Sequence, residues 1–267
     1  MLDWERTLHL SLVTAIQKMS SGRTAPLLVV CEEPDSEEQF EIVLKTLGTV
    51  ESGVRGMARE LICSHLAKLL NIPTSRPAVV DIHGSIVFGG VQPSDLSARL
   101  GASIGKNFGS IHLKDVVPPP RHTKLKKEAQ VRASSIFAFD LLIQNPDRRT
   151  GNPNLFWDHS RYIVYDHEQA LPFSMILGGF DLEPWDLSGL PFIRDHFFYE
   201  YLRGKQLELD EFTQLLNSCS EEVIDGIIKE VPDAWITDEI TMIRKHLVSA
   251  GTEADKFVRA VQAEVSV

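Results

Sequence analysis

Phe139-Asp-Leu-Leu-Ile-Gln-Asn-Pro-Asp-Arg-Arg-Thr-Gly-Asn-Pro-Asn-Leu-Phe-Trp157, followed by Tyr162-Ile-Val-Tyr-Asp166, decides the reading of this chain. Its apolar beginning reads as the end of a helix. A polar loop rich in proline, glycine and asparagine then interrupts the pattern, because these residues break regular backbone geometry. Two short apolar runs follow and predict a two-strand hairpin that closes on an aspartate. Asp147 and Asp166 stand at the two mouths of the hairpin, with Asn152 and Asn154 between them. The helix packs this unit from behind, and the hairpin fixes the separation of the acidic groups.

Phosphoryl transfer needs these parts: one carboxylate to accept a hydroxyl proton, and an amide with a second carboxylate to hold magnesium. The reaction depends on positioning and charge neutralisation more than on covalent chemistry. Asp147 is the candidate to orient and deprotonate the acceptor hydroxyl, and Asp166 the candidate to bridge magnesium to the β- and γ-phosphates. The amide has two candidates. Asn152 has the offset from Asp147 seen in many kinase loops, whereas Asn154 directly precedes an apolar strand and lies nearer Asp166. Arg148 and Arg149 either neutralise phosphate or acidic substrate groups, or pair with surface carboxylates. Asp140, on an apolar helix, either bonds the loop and holds its shape or faces solvent.

Upstream, residues 3–19 carry apolar positions at helical spacing, which predicts a helix ending at Ser20-Ser21-Gly22. Pro26 to Cys31 and Phe40 to Thr46 read as two strands of a hairpin around an acidic turn. Ser21 and Gly22 lie just before the first of these strands, where backbone N–H groups can cover phosphates; a flexible connection fits the same residues. Lys45 ends the second strand, and Gly48, Gly53 and Gly56 mark a mobile loop. A helix near Met57 to Leu70 places Leu61, Leu66, Leu69 and Leu70 on one stripe and ends before Pro73. Glu60 lies in its first turns, so Lys45 and Glu60 match the strand-lysine and helix-glutamate pair that positions ATP phosphates in kinases.

Pro77 to His83 predicts a third strand, with Gly84 to Phe88 continuing a hairpin, and Asn107 to Lys114 a further strand. Residues 112–122, with Pro118-Pro-Pro120, form an extended connection between two lobes. Backbone groups at Ile111, His112 and Leu113 are the candidates to hydrogen-bond adenine. A helix over 125–144 delivers the chain to Asp147. Beyond Asp166 the pattern becomes helical from about Ile193 onward, with Thr252-Glu-Ala-Asp255 as a capping box and Gly251 separating two helices.

Composition excludes several classes. The net charge of −10 opposes nucleic-acid binding, which needs a basic face. Cys31, Cys63 and Cys219 lack metal-ligand spacing and read as reduced core thiols. No apolar run approaches the roughly 20 residues that cross a bilayer. The N-terminus has no basic stretch leading into an apolar one, and the expected compartment is the cytoplasm. His159 and His167 match no zinc motif, and neither a G-x-S-x-G elbow nor a P-loop occurs. A glycosidase pair of carboxylates would leave Lys45 and Glu60 without a role. Trp157, Trp185 and Trp235 read as core.

With these residues in place, the sequence resembles the HipA-like kinase family, particularly its compact stand-alone members. The resemblance rests on Phe40-Glu-Ile-Val-Leu-Lys45, Ala58 to Pro73, Asn107-Phe-Gly-Ser110, Phe139 to Arg148 and Tyr165-Asp-His167, in family order over most of residues 20–240. The Asn-Pro-Asp-Arg motif also looks like the catalytic loop of phosphoinositide kinases. The resemblance implies an α+β, bilobal protein-kinase-like fold. It would have a small, mostly antiparallel β lobe with one main helix (1–113) and a larger helical lobe (114–267). It further implies an ATP- and magnesium-dependent kinase acting on a hydroxyl, most often of protein serine or threonine. Lys45 would bind phosphates, Glu60 would pair with it, Asp147 would be catalytic, and Asn152 or Asn154 with Asp166 would hold metal. A lipid or small-molecule kinase is the alternative within enzymes, and a nucleotide- or partner-binding pseudokinase the alternative outside them. The phosphate loop lacks a multi-glycine signature, and Asp166-His-Glu168 stands where many kinases have Asp-Phe-Gly.

Overall fold

A computed structural model describes residues 6–19, 25–88, 94–120, 127–175 and 183–266. The architecture is mixed α+β, and the chain divides into two compact units. The first comprises residues up to Ser64, Ser75–Lys114 and Glu230–Ile236; the second comprises His65–Thr74, Asp115–Lys229 and the chain from Thr237 onward.

A closed five-stranded barrel builds the first unit. Its strands are β1 (Leu8–Lys18), β2 (Leu27–Glu32), β3 (Gln39–Lys45), β4 (Pro77–Ile82) and β5 (Gly105–Ile111), in the order β1-β2-β3-β5-β4. Every neighbouring pair is antiparallel except β1 and β4, whose parallel pairing closes the barrel. The interior is filled by alternate side chains: Leu8, Leu10 and Leu12 of β1, Leu27, Val29 and Cys31 of β2, and Ala78, Val80 and Ile82 of β4. Burial pushes the Cys31 thiol up to about 12, so it stays protonated inside this apolar filling. Gly109 lets β5 pass close to its neighbours. A Cβ there would lie 2.6 Å from Ile42 Cγ2 and 3.1 Å from Val80 Cγ2.

Two sequence expectations fail in this unit. Residues 8–18 are a strand, not part of a helix. Irregularities in register between Leu12 and Thr14 and between Ala15 and Gln17 mark bulges, which let the long strand curl through both of its pairings. The bulges also shift the inward phase, so that Leu8, Leu12 and Ala15 fall at i, i+4 and i+7 and imitate a helix. Gly84–Phe88 forms a short helix (α2), not a hairpin strand, and is followed by α3 (Ser94–Gly101).

Helix α1 (Val54–Leu69) is buried on every side from Met57 to Ala67, including the polar Arg59, Glu60, Ser64 and His65. The predicted stripe is thus part of a wider buried surface. In the second unit, α4 (Lys127–Leu142) is buried without interruption from Ala133 to Leu142. It leads into the loop and the hairpin of β6 (Leu155–Trp157) and β7 (Tyr162–Val164). Val117 bridges to Trp157 on one side of the hairpin, and Thr74 to Val164 on the other. The remaining helices are α5 (Tyr199–Leu202), α6 (Asp210–Asn217), α7 (Glu221–Lys229), α8 (Glu239–Thr252) and α9 (Ala254–Val265).

Gly251 does not separate two helices but lies inside α8, where a Cβ would sit 2.5 Å from the Cys219 carbonyl oxygen. Nor does the capping box form: Thr252 Oγ1 donates to the Val248 carbonyl, and Glu253 takes the cap position without a side-chain bond. Trp235 is core, as expected, but Trp157 and Trp185 are half-buried, and Lys256 Nζ lies 3.8 Å from the Trp185 ring centre. The three cysteines are buried, and none of them forms a disulfide. Among the described residues, no helix is long and apolar enough to cross a membrane.

Candidate active site

In the barrel unit, Lys45 is the last residue of β3 and Glu60 lies in the early turns of α1; Lys45 Nζ donates to Glu60 Oε1. The lysine side chain keeps 11 % exposure and the glutamate 2 %. The two residues proposed from spacing alone are therefore brought together. The turn after Lys45 is fastened by side-chain hydrogen bonds. Asn107 Oδ1 accepts the Leu47 N–H at 2.7 Å, and Asn107 Nδ2 donates to the Ser103 and Gly105 carbonyls at 2.8 Å each. Ser103 Oγ accepts the Gly48 N–H at 3.0 Å, and Arg99 donates to Thr46 Oγ1 at 2.9 Å and Thr49 Oγ1 at 3.1 Å. Asn107, fully buried, thus secures the end of the strand that carries Lys45. The Asn107-Phe-Gly-Ser110 motif by itself carries no sign of this role.

The strand end proposed for adenine is partly committed already. Ile111 N–H donates to the Arg76 carbonyl at 3.0 Å, and His112 N–H to the Glu41 carbonyl at 2.9 Å. Leu113 N–H makes no hydrogen bond among the described residues. The His112 ring and Lys114 Nζ both approach Glu41 Oε2, at 3.2 and 3.1 Å, and their hydrogen bonds hold the Glu41 carboxyl below its ordinary pKa. Ser21 and Gly22 lie outside the described residues.

In the second unit, the loop after α4 is shaped by buried polar groups. Asp140 is fully buried, and its two oxygens accept three side-chain donors. Asn145 Nδ2 reaches Oδ1 at 3.0 Å, while Arg148 Nε at 2.5 Å and His196 Nε2 at 3.1 Å reach Oδ2. Burial alone would raise the Asp140 pKa, but the Arg148 charge and the bonds from His196 and Arg148 outweigh it and hold the carboxyl at about 2. Asp140 thus holds the loop and does not face solvent. Arg148 serves neither phosphate nor surface, contrary to both expectations. Its guanidinium is fully buried, and Nη1 continues to the Asn154 carbonyl at 2.5 Å, the Pro153 carbonyl at 3.2 Å and the Tyr165 carbonyl at 3.5 Å.

This framework fixes Asp147. Asn145 Oδ1 accepts the Asp147 N–H at 3.1 Å. The Asp147 side chain is one-quarter exposed; Oδ1 accepts Arg149 Nη2 at 2.8 Å, and Oδ2 accepts Asn154 Nδ2 at 3.0 Å and Asn152 Nδ2 at 3.2 Å. Both candidate amides therefore meet the same carboxylate. Asn154 is buried and Asn152 exposed. Tyr165 N–H donates to the Asn154 carbonyl at 3.2 Å, which holds the residue before Asp166 beside Asn154. Gln144, Asn154 and Asp166 adopt left-handed backbone, at φ of 48°, 45° and 62°. Such conformations cost roughly 1–2 kcal/mol each for residues other than glycine and concentrate at functional sites. His167 is buried, edge-on to Phe139 at 5.7 Å between ring centres. Among the described residues, no three or more His, Cys, Asp or Glu side chains cluster to hold a metal.

A family model described as HipA-like kinase matches residues 12–263. Among solved structures, the crystal structure of a Helicobacter pylori proinflammatory kinase, CtkA, is similar with a TM-score of 0.51 and 10 % identity, covering 96 % of this chain and 98 % of that one. At that identity the likeness concerns the fold alone. No curated protein sequence matches significantly.

Proposed function

This chain belongs to the HipA-like kinase family, and we propose that it transfers the γ-phosphoryl group of ATP, with magnesium, to a hydroxyl group of protein serine or threonine. The observation that carries the reading is the Asp147 carboxylate, held by Asn152, Asn154 and Arg149 at the mouth of a rigid loop yet open to solvent on one side. A carboxylate so fixed can accept the hydroxyl proton as the acceptor oxygen bonds to phosphorus. The bond from phosphorus to the β,γ-bridging oxygen then breaks, and its electron pair leaves with ADP.

The donor chemistry fits a hard divalent cation, which prefers oxygen ligands. Asn154 spends its Nδ2 on Asp147, which leaves its Oδ1 as the acceptor atom, and Asp166 supplies a carboxylate one residue beyond the hydrogen bond to Asn154. These contacts favour Asn154 over Asn152 as the residue that would hold magnesium with Asp166. The cation would neutralise charge on the β- and γ-phosphates. Few protein ligands are needed, because substrate phosphates supply others. Lys45, oriented by Glu60, would contact the phosphates, and the N–H of Leu113, which makes no hydrogen bond among the described residues, would be the backbone donor to adenine.

The test is direct. The protein is incubated with γ-labelled ATP, with magnesium or with EDTA, and offered degenerate peptides containing Ser and Thr, peptides containing only Tyr, or phosphatidylinositol micelles. The reading predicts magnesium-dependent label in the Ser/Thr peptides. Label confined to the micelles would favour a lipid kinase. Binding of Mg·ATP without any transfer would favour a pseudokinase.

A further inference from the structure

We propose that His196 is a positioning residue for phosphoryl transfer, holding the loop that carries Asp147 through Asp140 and Arg148. This inference rests on the reading of Asp147 as the proton acceptor. His196 follows a short 3-10 turn (Ile193–Asp195), and its side chain is 1 % exposed. Ring Nδ1 accepts the Phe198 N–H at 3.2 Å, so the ring proton sits on Nε2 and is donated to Asp140 Oδ2 at 3.1 Å. The backbone bond at Nδ1 thus selects the tautomer that can serve Asp140. Burial lowers the His196 pKa, which keeps the ring a neutral donor beside the Arg148 charge.

The same segment grips the loop through its backbone. Phe197 N–H donates to the Arg148 carbonyl at 2.9 Å, and Asp195 O accepts the Thr150 N–H at 3.3 Å. His196 also pairs with Arg149 in an isolated antiparallel bridge. The loop is therefore clamped on both sides of Arg148. A shift of Asp140 would move Arg148, and with it the Asn154 and Tyr165 carbonyls that the guanidinium holds. It would equally move Asn145, which fixes the Asp147 N–H. A neutral donor from a distant segment thereby joins Arg148 and Asn145 in fixing Asp140, on which the position of the constellation depends. Such a group touches no reacting atom, and its loss appears as misplacement, which can cost on the order of a hundredfold in rate for an ångström.

Two variants separate positioning from mere packing. In His196→Gln the amide nitrogen reaches as far as ring Nε2 and restores the donor to Asp140. In His196→Asn an oxygen remains near the Nδ1 position for Phe198, but nothing reaches Asp140. We expect His196→Asn to lower kcat by about tenfold or more per folded molecule, and His196→Gln to recover most of that loss. A purely structural role would reduce the folded fraction of both and leave kcat per folded molecule at the wild-type value; that result overturns the proposal. Imidazole ¹⁵N spectra of the unaltered protein give a second test, independent of whether a variant folds. They should show His196 neutral and protonated on Nε2, and a charged or Nδ1-protonated ring would equally overturn it. Asp147→Asn is assayed in parallel. Wild-type turnover in Asp147→Asn refutes the reading of Asp147, whereas an inactive Asp147→Asn beside a fully active His196→Asn refutes the role of His196 alone.

Discussion

The two units each contain a buried ion pair, built in opposite ways. Lys45 and Glu60 come from regular structure, a strand end and a helix, and the lysine keeps a partial opening to solvent. Asp140 and Arg148 are both closed off completely, and the arginine spends its remaining reach on backbone carbonyls of an irregular loop. An ion pair that stays partly open can exchange its partner for a polyanion. A sealed pair has no such freedom and serves to hold shape. The comparison teaches that strand and helix suffice to place one charge, whereas an irregular loop carrying several functional groups needs a polar core of its own.

The largest effect should come from breaking the sealed pair. Arg148→Ala strands a buried carboxylate and removes the tether of Asn154 and Tyr165. We expect a loss of about 3–5 kcal/mol, or on the order of 10 °C in Tm by calorimetry. A loss below about 1 kcal/mol would mean that the Asp140 network relaxes and that the contrast between the two pairs is false.

A somewhat smaller effect should appear with acid, and it should be confined to the second unit. His246 is buried there, with Nε2 donating to the Leu142 carbonyl at 2.7 Å. Burial pushes its pKa down from 6.5 to about 4. Above pH 6.5 the imidazole is neutral in folded and unfolded chains alike, and its full contribution is present. As pH falls from 6.5 to about 4, the unfolded chain takes up a proton that the folded one refuses, a loss of about 3 kcal/mol. The depressed pKa of His196 acts in the same direction. Asp140 adds to the loss only below its ordinary value of 3.8, as pH falls toward 2. Hydrogen exchange at pH 5 should therefore show weakened protection in α4 and α8 before the barrel strands respond. Equal weakening in the barrel would break the comparison.

The legibility of the two regions follows the same divide. The hairpin β6–β7, the strand before Lys45 and the helix carrying Glu60 obey local periodicity, so short stretches of sequence announce them. Asn152 and Asn154 meet Asp147 because a tight loop leaves little choice of geometry, which short sequence spacing can convey. β1 imitates a helix in sequence because its bulges convert a period of two into apolar spacing of i, i+4 and i+7. The role of Arg148 is not legible locally because its burial depends on Asp140 and on His196, which lies 56 positions beyond that aspartate. No local pattern marks such a partner. Asn107 escaped for the same reason: its amide bonds the turn after Lys45 from a strand 60 positions away.

Paired kinetics of Asp147→Asn and Lys45→Ala test the central claim most directly, with γ-phosphoryl transfer and Mg·ATP-induced thermal protection measured on the same samples. The account predicts that Asp147→Asn loses on the order of 10²–10⁴ in kcat while Mg·ATP still raises its Tm, and that Lys45→Ala loses the protection itself. Transfer by Asp147→Asn at the wild-type rate would contradict it.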